Sequence, residues 1–216
     1  MTTVKIRKNQ RLIRVIPLAE HPERNVIRLE LRRNVILQSL EDALRDELEP
    51  HLSIVDARKG DFLVRQGVRE MAQYFILDGI LKRVVSNPAG KEMILRFAGP
   101  NDMETSYAAW RLHTPTPYGI VCVNKARVAR VPMQEWVDFL ERHAEAKQSF
   151  EYNVMRVMSE IMAHTITLHL LDAPGRVQRF VRKHPELVDL LPQKQLASHL
   201  NLSAETLSRL RHSGKI

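Results

Sequence analysis

Between His51 and Val131 the chain is written in short β-type runs separated by turn signals, and this texture narrows the fold more than any other feature. The runs that read as strands are Leu52–Ala57, Phe62–Arg65, Tyr74–Asp78, Ile80–Ser86, Glu92–Phe97, Gly119–Val123 and Arg127–Val131. They are rich in Val, Ile and Phe, side chains that suit a pleated, half-buried surface. Turn residues fall between them at Lys59-Gly60-Asp61, Gln66-Gly67, Asp78-Gly79, Asn87-Pro88-Ala89-Gly90 and Gly99-Pro100-Asn101-Asp102. Asp78-Gly79 and the Asn-Pro-Ala-Gly run are the strongest hairpin signals, because glycine accepts a positive φ at no steric cost. Short strands at regular spacing predict an antiparallel sandwich or barrel of jelly-roll type.

Helical periodicity surrounds this region, so the predicted class is α+β. Residues 37–50, LQSLEDALRDELEP, put Leu37, Leu40, Leu44 and Leu48 on one face and close at Pro50. A long helical stretch runs from Met133 to Leu171 with a division near His143. Within it Phe150, Val154, Val157, Ile161, His164, Leu168 and Leu171 recur at alternating spacings of four and three. That heptad seam predicts a helix pairing with its twin in a parallel dimer, with a helix buried in its own chain as the competing reading. Met155, Met158 and Met162 are then expected to pack on the barrel. His164 falls in the seam as an interface histidine, a pH or ligand switch being the lesser reading. Asp172-Ala173-Pro174-Gly175 breaks the helix, and 176–184, RVQRFVRKH, follows as a basic helix with Val177, Phe180 and Val181 inward.

The last segment, from Leu191 to Leu210, breaks into two short amphipathic helices around a tight corner. Leu196, Ala197 and Leu200 share one face of the first, and Pro192 suits its opening. At the corner, Asn201 is among the few non-glycine residues that tolerate the left-handed conformation. Ser203 is a good N-cap for the second helix. Leu207 and Leu210 face the first helix, leaving Glu205, Thr206, Ser208 and Arg209 outward. This is the shape of a helix-turn-helix, whose second helix enters a DNA major groove; an ordinary helical hairpin is the plain alternative. Arg209 has the fork that bonds guanine O6 and N7, and Glu205 can accept from a cytosine amine.

Charge agrees with a polyanionic partner at 176–216, where it coincides with the helix-turn-helix, while at 1–36 a basic tail that only aids solubility is an equal reading. Of a net +8, residues 1–36 carry +6, 37–175 carry −3 and 176–216 carry +5. The basic arm 1–36 (Val4, Ile6, Leu12, Ile13, Val15 and Ile16 among its apolar residues) reads equally as a strand, a partly ordered arm or an over-extended start. The single cysteine, Cys122, leaves no internal disulfide and no Cys-clustered metal site, a usage that fits a reducing cytoplasm. No membrane span and no signal core are legible. His113, Asp102, Glu104 and Ser106 cluster in sequence without a nucleophile–base–orienter spacing, so no enzyme is expected. His51, His113, His143, His164 and His169 lack metal-ligand spacing, and a haem axial histidine among them is a minor alternative.

Taken in order, these pieces resemble the CRP/FNR transcription regulators from about Leu37 to the end. The resemblance rests on Gly60-Asp61 with Gln66-Gly67, on Tyr74-Phe75-Ile76-Leu77-Asp78-Gly79, on Gly99-Pro100-Asn101-Asp102, and on Leu196-Ala197 with Asn201-Leu202-Ser203-Ala204-Glu205-Thr206-Leu207-Ser208-Arg209. It implies a basic arm at 1–36, a cyclic-nucleotide-binding-like jelly-roll sensor domain at 37–131, a dimerisation helix region at 132–172 and a helix-turn-helix domain at 173–216. It implies a cytoplasmic homodimer on a palindromic operator, with RNA polymerase as a further partner. Glu205, Ser208 and Arg209 would read bases in half-sites resembling TTGAT; Lys194, Ser203, Ala204 and Thr206 would make the other DNA contacts. Phe150, Val154, Val157, Ile161, His164 and Leu168 would form the dimer seam. The family's nucleotide cassette, a Phe-Gly-Glu run and an Arg-Ser or Arg-Thr pair, is replaced here by Glu104-Thr105-Ser106 and Thr116-Pro117, where an effector pocket is expected. Without that Arg nothing pairs a cyclic phosphate, so no cofactor is predicted and cyclic AMP is disfavoured, with haem or another small effector left open. The chain ends at Gly214-Lys215-Ile216, before the wing hairpin, so a minimal DNA-binding domain is expected. The rival function is a ligand-sensing or protein-interaction module whose helix-turn-helix no longer reads DNA.

Overall fold

The computed structural model describes residues 13–90 and 92–212. In chain order they form β1 (Arg14–Pro17), α1 (Arg24–Leu31), α2 (Asp42–Leu48), β2 (Ser53–Ala57), β3 (Phe62–Val64), β4 (Ala72–Asp78), β5 (Leu81–Ser86), β6 (Glu92–Ala98), β7 (Met103–Thr105) and α3 (Tyr107–Arg111). There follow β8 (Gly119–Cys122), β9 (Ala126–Pro132), α4 (Met133–Arg142), α5 (Ala144–Leu170), α6 (Ala173–Lys183), α7 (Gln193–His199) and α8 (Ala204–His212). Among the described residues the strands make two antiparallel sheets, one ordered β1-β2-β9-β4-β7 and the other β3-β8-β5-β6.

Both sheets are covered on both faces, which explains why several strands read as continuous apolar runs rather than clean alternations. In β4, Tyr74 and Ile76 point between the sheets while Phe75 and Leu77 point toward the helices. In β8, Ile120 and Cys122 point inward and Val121 outward. Three apolar layers result: helices on the first sheet, sheet on sheet, and the C-terminal helices on the outer face of the second sheet. In the first layer Trp136 is fully buried, its ring centroid 5.4 Å from Phe75 and 5.3 Å from Phe150 in edge-on contacts. That cluster ties α4 and α5 to the sheet.

Two turns show why their residues stand there. Gly79 has φ +84°, and a Cβ on it would sit 2.3 Å from the Lys125 carbonyl oxygen, so only glycine fits. Asn101 supplies the left-handed residue of the Gly99–Asp102 corner with φ 68°.

The structure revises several expectations. The arm is part of the barrel's first layer in its described portion: β1 pairs with β2 (Val15 opposite Val55), and α1 buries Ile27 and Leu31 there. The boundary at residue 36 therefore does not hold, and residues 1–12 lie outside the described residues, as do Gly214, Lys215 and Ile216 at the expected wing. The helix expected over 37–50 is interrupted at Leu40, whose backbone is extended, and survives as α2 between two 3-10 turns. β7 and α3 are additional to the expected elements. The basic helix expected over 176–184 begins earlier, at Ala173: the Asp172 side chain caps it by accepting the Gly175 N–H at 2.9 Å, and Pro174 sits in the first turn, where its missing N–H costs nothing.

The largest correction concerns α5. The predicted dimer seam faces the protein's own barrel: Phe150 is 0% and Val157 2% exposed, with Val154 and Ile161 packed against the same cluster. His164 bonds the His199 carbonyl oxygen at 3.0 Å, and Leu168 is half-buried. Met155, Met158 and Met162, expected on the barrel, are exposed instead, at 63%, 47% and 65%. Tyr152, Ile166 and Leu170 extend their line. Both faces of the helix are apolar, and the period alone does not say which one meets the sheet.

Candidate nucleic-acid interface and sensor barrel

The C-terminal corner is built by backbone and cap together. Leu196, Ala197, Leu200 and Leu207 are buried between α7 and α8, and Leu210 beside them. Asn201 adopts φ 52°, and the Leu202 N–H returns to the Ala197 carbonyl at 2.9 Å. Ser203 Oγ accepts the Thr206 N–H at 3.1 Å, so the N-cap forms as the sequence requires. With Leu207 and Leu210 turned inward, Glu205 and Arg209 are fully outside and Ala204, Thr206 and Ser208 stand on the same element, each at least partly exposed. Lys194 is exposed at the start of α7. The Glu205 carboxylate accepts from its own amide and from the Ser203 hydroxyl, which lowers its pKa below the ordinary value and keeps it an acceptor. An exposed fork at Arg209 and an ionised acceptor at Glu205 are groups that base edges recognise.

The residues expected to line an effector pocket are packed, not open. Glu104 is 0% exposed and accepts from Arg83 Nε at 3.0 Å and Nη2 at 2.5 Å. Arg83, itself 2% exposed, stacks over the Tyr118 ring at 4.1 Å, and Tyr118 donates its hydroxyl to the Thr105 carbonyl at 2.7 Å. Burial works against the charge on Arg83, but Glu104 more than offsets it and the guanidinium pKa is raised. Arg96 pairs with Asp102 and lies 3.3 Å from the other Glu104 oxygen, without hydrogen-bond geometry. Thr116 Oγ is committed to the Arg65 carbonyl at 2.9 Å, Ser106 is buried, and Pro117 is exposed at the rim. The positive charge in this interior is thus answered by Glu104 and Asp102, while Arg96 Nε and Ser106 Oγ have no hydrogen-bond partner.

Sequence reading missed Arg83 and Arg96 as barrel residues. The available signal was an arginine standing inside an otherwise apolar strand run, in Leu-Lys-Arg-Val-Val and Ile-Leu-Arg-Phe. The cluster of Asp102, Glu104, Ser106 and His113 is dispersed: the first two serve the arginines, while His113 is exposed and offers its carbonyl to Arg69 at 2.8 Å. His51 pairs with Glu135 and His143 with Glu47, each at 2.9 Å, and His169 is exposed. Among the described residues, no group of three or more His, Cys, Asp or Glu side chains is arranged to hold a metal ion, and no helix is long and apolar enough to cross a membrane.

Residues 54–143 match the family model of the cyclic nucleotide-binding domain. The chain is similar to the solved structure of FixK2 from Bradyrhizobium japonicum, at 15% identity over 76% of this chain and 86% of that one, with a TM-score of 0.66. It is similar to CLP from Xanthomonas campestris, described as a c-di-GMP responsive global regulator, at 10% identity over 80% and 91%, also with a TM-score of 0.66. A mutant of CooA from Carboxydothermus hydrogenoformans matches at 13% identity over 84% of each chain, again at 0.66. No curated protein matches the chain in sequence. The family match is confined to residues 54–143, and over the length of the chain the likeness to these three solved structures is one of fold.

Proposed function

We propose that the chain is a sequence-specific, cytoplasmic transcription regulator, not an enzyme, that binds a palindromic operator as a homodimer. The observation that carries this reading is α8, a capped helix with Leu207 and Leu210 buried and Glu205, Ser208 and Arg209 presented outward. Glu205, Ser208 and Arg209 read base edges; Lys194, Ser203, Ala204 and Thr206 make the surrounding contacts, the polar ones to phosphates, that set register. The dimer forms along the exposed stripe of α5, Tyr152, Met155, Met162 and Ile166, whose spacings of three, seven and four keep one heptad seam. RNA polymerase is the further partner. Cyclic AMP is not the effector, because Glu104 holds the interior arginine that a phosphate would need.

Operator selection from a random duplex library tests the reading, and a palindrome resembling TTGAT-N4-ATCAA is the expected product. Arg209→Ala is expected to weaken operator binding by about 1–3 kcal/mol and to relax one position per half-site. Enrichment of no sequence, with and without cell extract, would remove DNA reading from the proposal and leave a sensing module.

A further inference from the structure

A crevice of about 60 Å³ lies between β6, α5, α6 and α7, outside the barrel interior. At roughly 15 Å³ per water it has room for about four waters, a space for a small anion and not for a duplex edge. Arg176, Arg179 and Lys183 stand at i, i+3 and i+7 on α6 and line it from one face. Arg179 and Lys183 form no ion pair with any described residue, while Arg176 donates to backbone carbonyls, including that of Leu200 at 3.3 Å. The one acid in the lining, Glu160, is taken by Arg156 at 3.0 Å.

From the barrel side Arg96 lines the same crevice with its side chain only 8% exposed, and its Nε has no hydrogen-bond partner. Such an orphaned donor calls for an acceptor. The imidazoles at this junction are poor cations. His164 and His199 stack at 3.8 Å, and His199 Nδ1 bonds the Ile94 carbonyl at 2.9 Å. Burial first, then the positive groups nearby, lowers the pKa of His164 and His184 and brings that of His199 to about 3. The charges of Arg179 and Lys183 thus meet no ion-pair partner among the described residues, while Arg96 keeps Asp102 and leaves its Nε open.

We propose that this crevice binds a small phosphate-bearing anion, which bridges Arg96 of the barrel to Arg179 and Lys183 of the C-terminal domain and holds the two together. A tetrahedral phosphate has acceptor oxygens enough for donors arriving from separate elements, which a single carboxylate lacks. Because the site is shared by both domains, the anion stabilises their docked arrangement by mass action. The binding step stands on its own; only its consequence for operator binding rests on the regulator reading above.

The test titrates the full chain with inorganic pyrophosphate by calorimetry at constant ionic strength, with chloride as the control. Saturable uptake of one anion per chain with Kd below about 1 mM is expected, corresponding to roughly 4 kcal/mol or more. The double variant R179Q/K183Q, altered at two exposed side chains, should fold as the wild type by circular dichroism and bind at least tenfold more weakly. R211Q, an exposed arginine on α8, should bind unchanged. Pyrophosphate should also slow amide exchange at Ile94–Phe97 and in α7. Absence of saturable uptake, equal uptake of chloride, or equal binding by R179Q/K183Q would overturn the site. So would loss of duplex binding in R179Q/K183Q without any pyrophosphate uptake, which would assign those cations to DNA phosphates. Uptake by a chain that selects no operator would retain the site and defeat the regulator reading instead.

Discussion

Replacing Glu104 by leucine removes the carboxylate and leaves the Arg83 guanidinium charged in an interior where it is 2% exposed. Arg83 cannot escape by losing its proton, since a guanidinium stays protonated in proteins even where burial works against its charge. Breaking one side of a buried pair costs about 3–5 kcal/mol, whereas replacing both sides with well-packed apolar residues is neutral to stabilising by about 1–4 kcal/mol. Arg96 retains Asp102 when Glu104 is lost, so its contribution is the smaller one. The expected loss for Glu104→Leu is therefore about 3–5 kcal/mol, a large share of a domain stability of about 5–15 kcal/mol. The double variant R83M/E104L should recover most of it.

Urea unfolding followed by tryptophan fluorescence reads this directly, because Trp110 and Trp136 stand on α3 and α4, both against the barrel. The comparison is a double-mutant cycle, with the single and double variants measured at equal slope. A Glu104→Leu protein within about 1 kcal/mol of wild type would show that the pair is solvated or rearranged. A double variant as unstable as the single would show that the penalty lies in packing and not in an orphaned charge.

The remaining predictions concern the helix face and the domain junction. Met155→Glu with Met162→Glu should convert a dimer to a monomer by light scattering without moving the unfolding midpoint of the barrel; Val157→Ala should leave association intact and cost about 2–4 kcal/mol. The reverse pattern would restore the seam expected from periodicity. His199, with a folded pKa of about 3, binds its proton at lower pH than in the unfolded chain. The docked junction should thus be fully stable above about pH 6.5 and lose stability as pH falls, by about 2 kcal/mol at pH 5 from this residue alone, with His164 adding in the same direction. Amide exchange at Ile94–Phe97 across that range measures it, and a His199 imidazole titrating near 6.5 by NMR would contradict it.

Much of the fold was legible because its signals are local. The hairpin at Asp78-Gly79, the turn at Gly99–Asp102, the left-handed Asn201 and the Ser203 cap each depend on a few neighbouring atoms, and each stands where the sequence puts it. The apolar positions of α7 and α8 were legible from their helical spacing, although their cluster also takes in Ile94 and Phe97 of the second sheet. The readings that failed depend on distant partners. Ile27 and Leu31 look like stray apolar residues in a basic arm until Trp136 and Leu48 are brought against the same cluster. Arg83 and Glu104 are 21 positions apart and become a pair only through the sheets.

The error on α5 has a physical cause that reaches to function. A helix between a barrel and a twin must be apolar on two faces, so its hydrophobic period is smeared and either line of residues satisfies a heptad. What separates them is side-chain type. The barrel face carries Phe150, Val154 and Val157, which complete a cluster already holding Trp136 and Phe75, with Tyr107 5.0 Å from Phe150. The outer face carries Tyr152, Met155, Met158 and Met162, and methionine's flexible thioether suits a surface that meets a partner rather than a fixed interior. The same helix then runs past the barrel to His164, where it meets α7 through the His199 carbonyl. On the proposed dimer, one helix thus touches the barrel, its twin and the C-terminal helices, so a change at any of the three shifts the packing available to the other two.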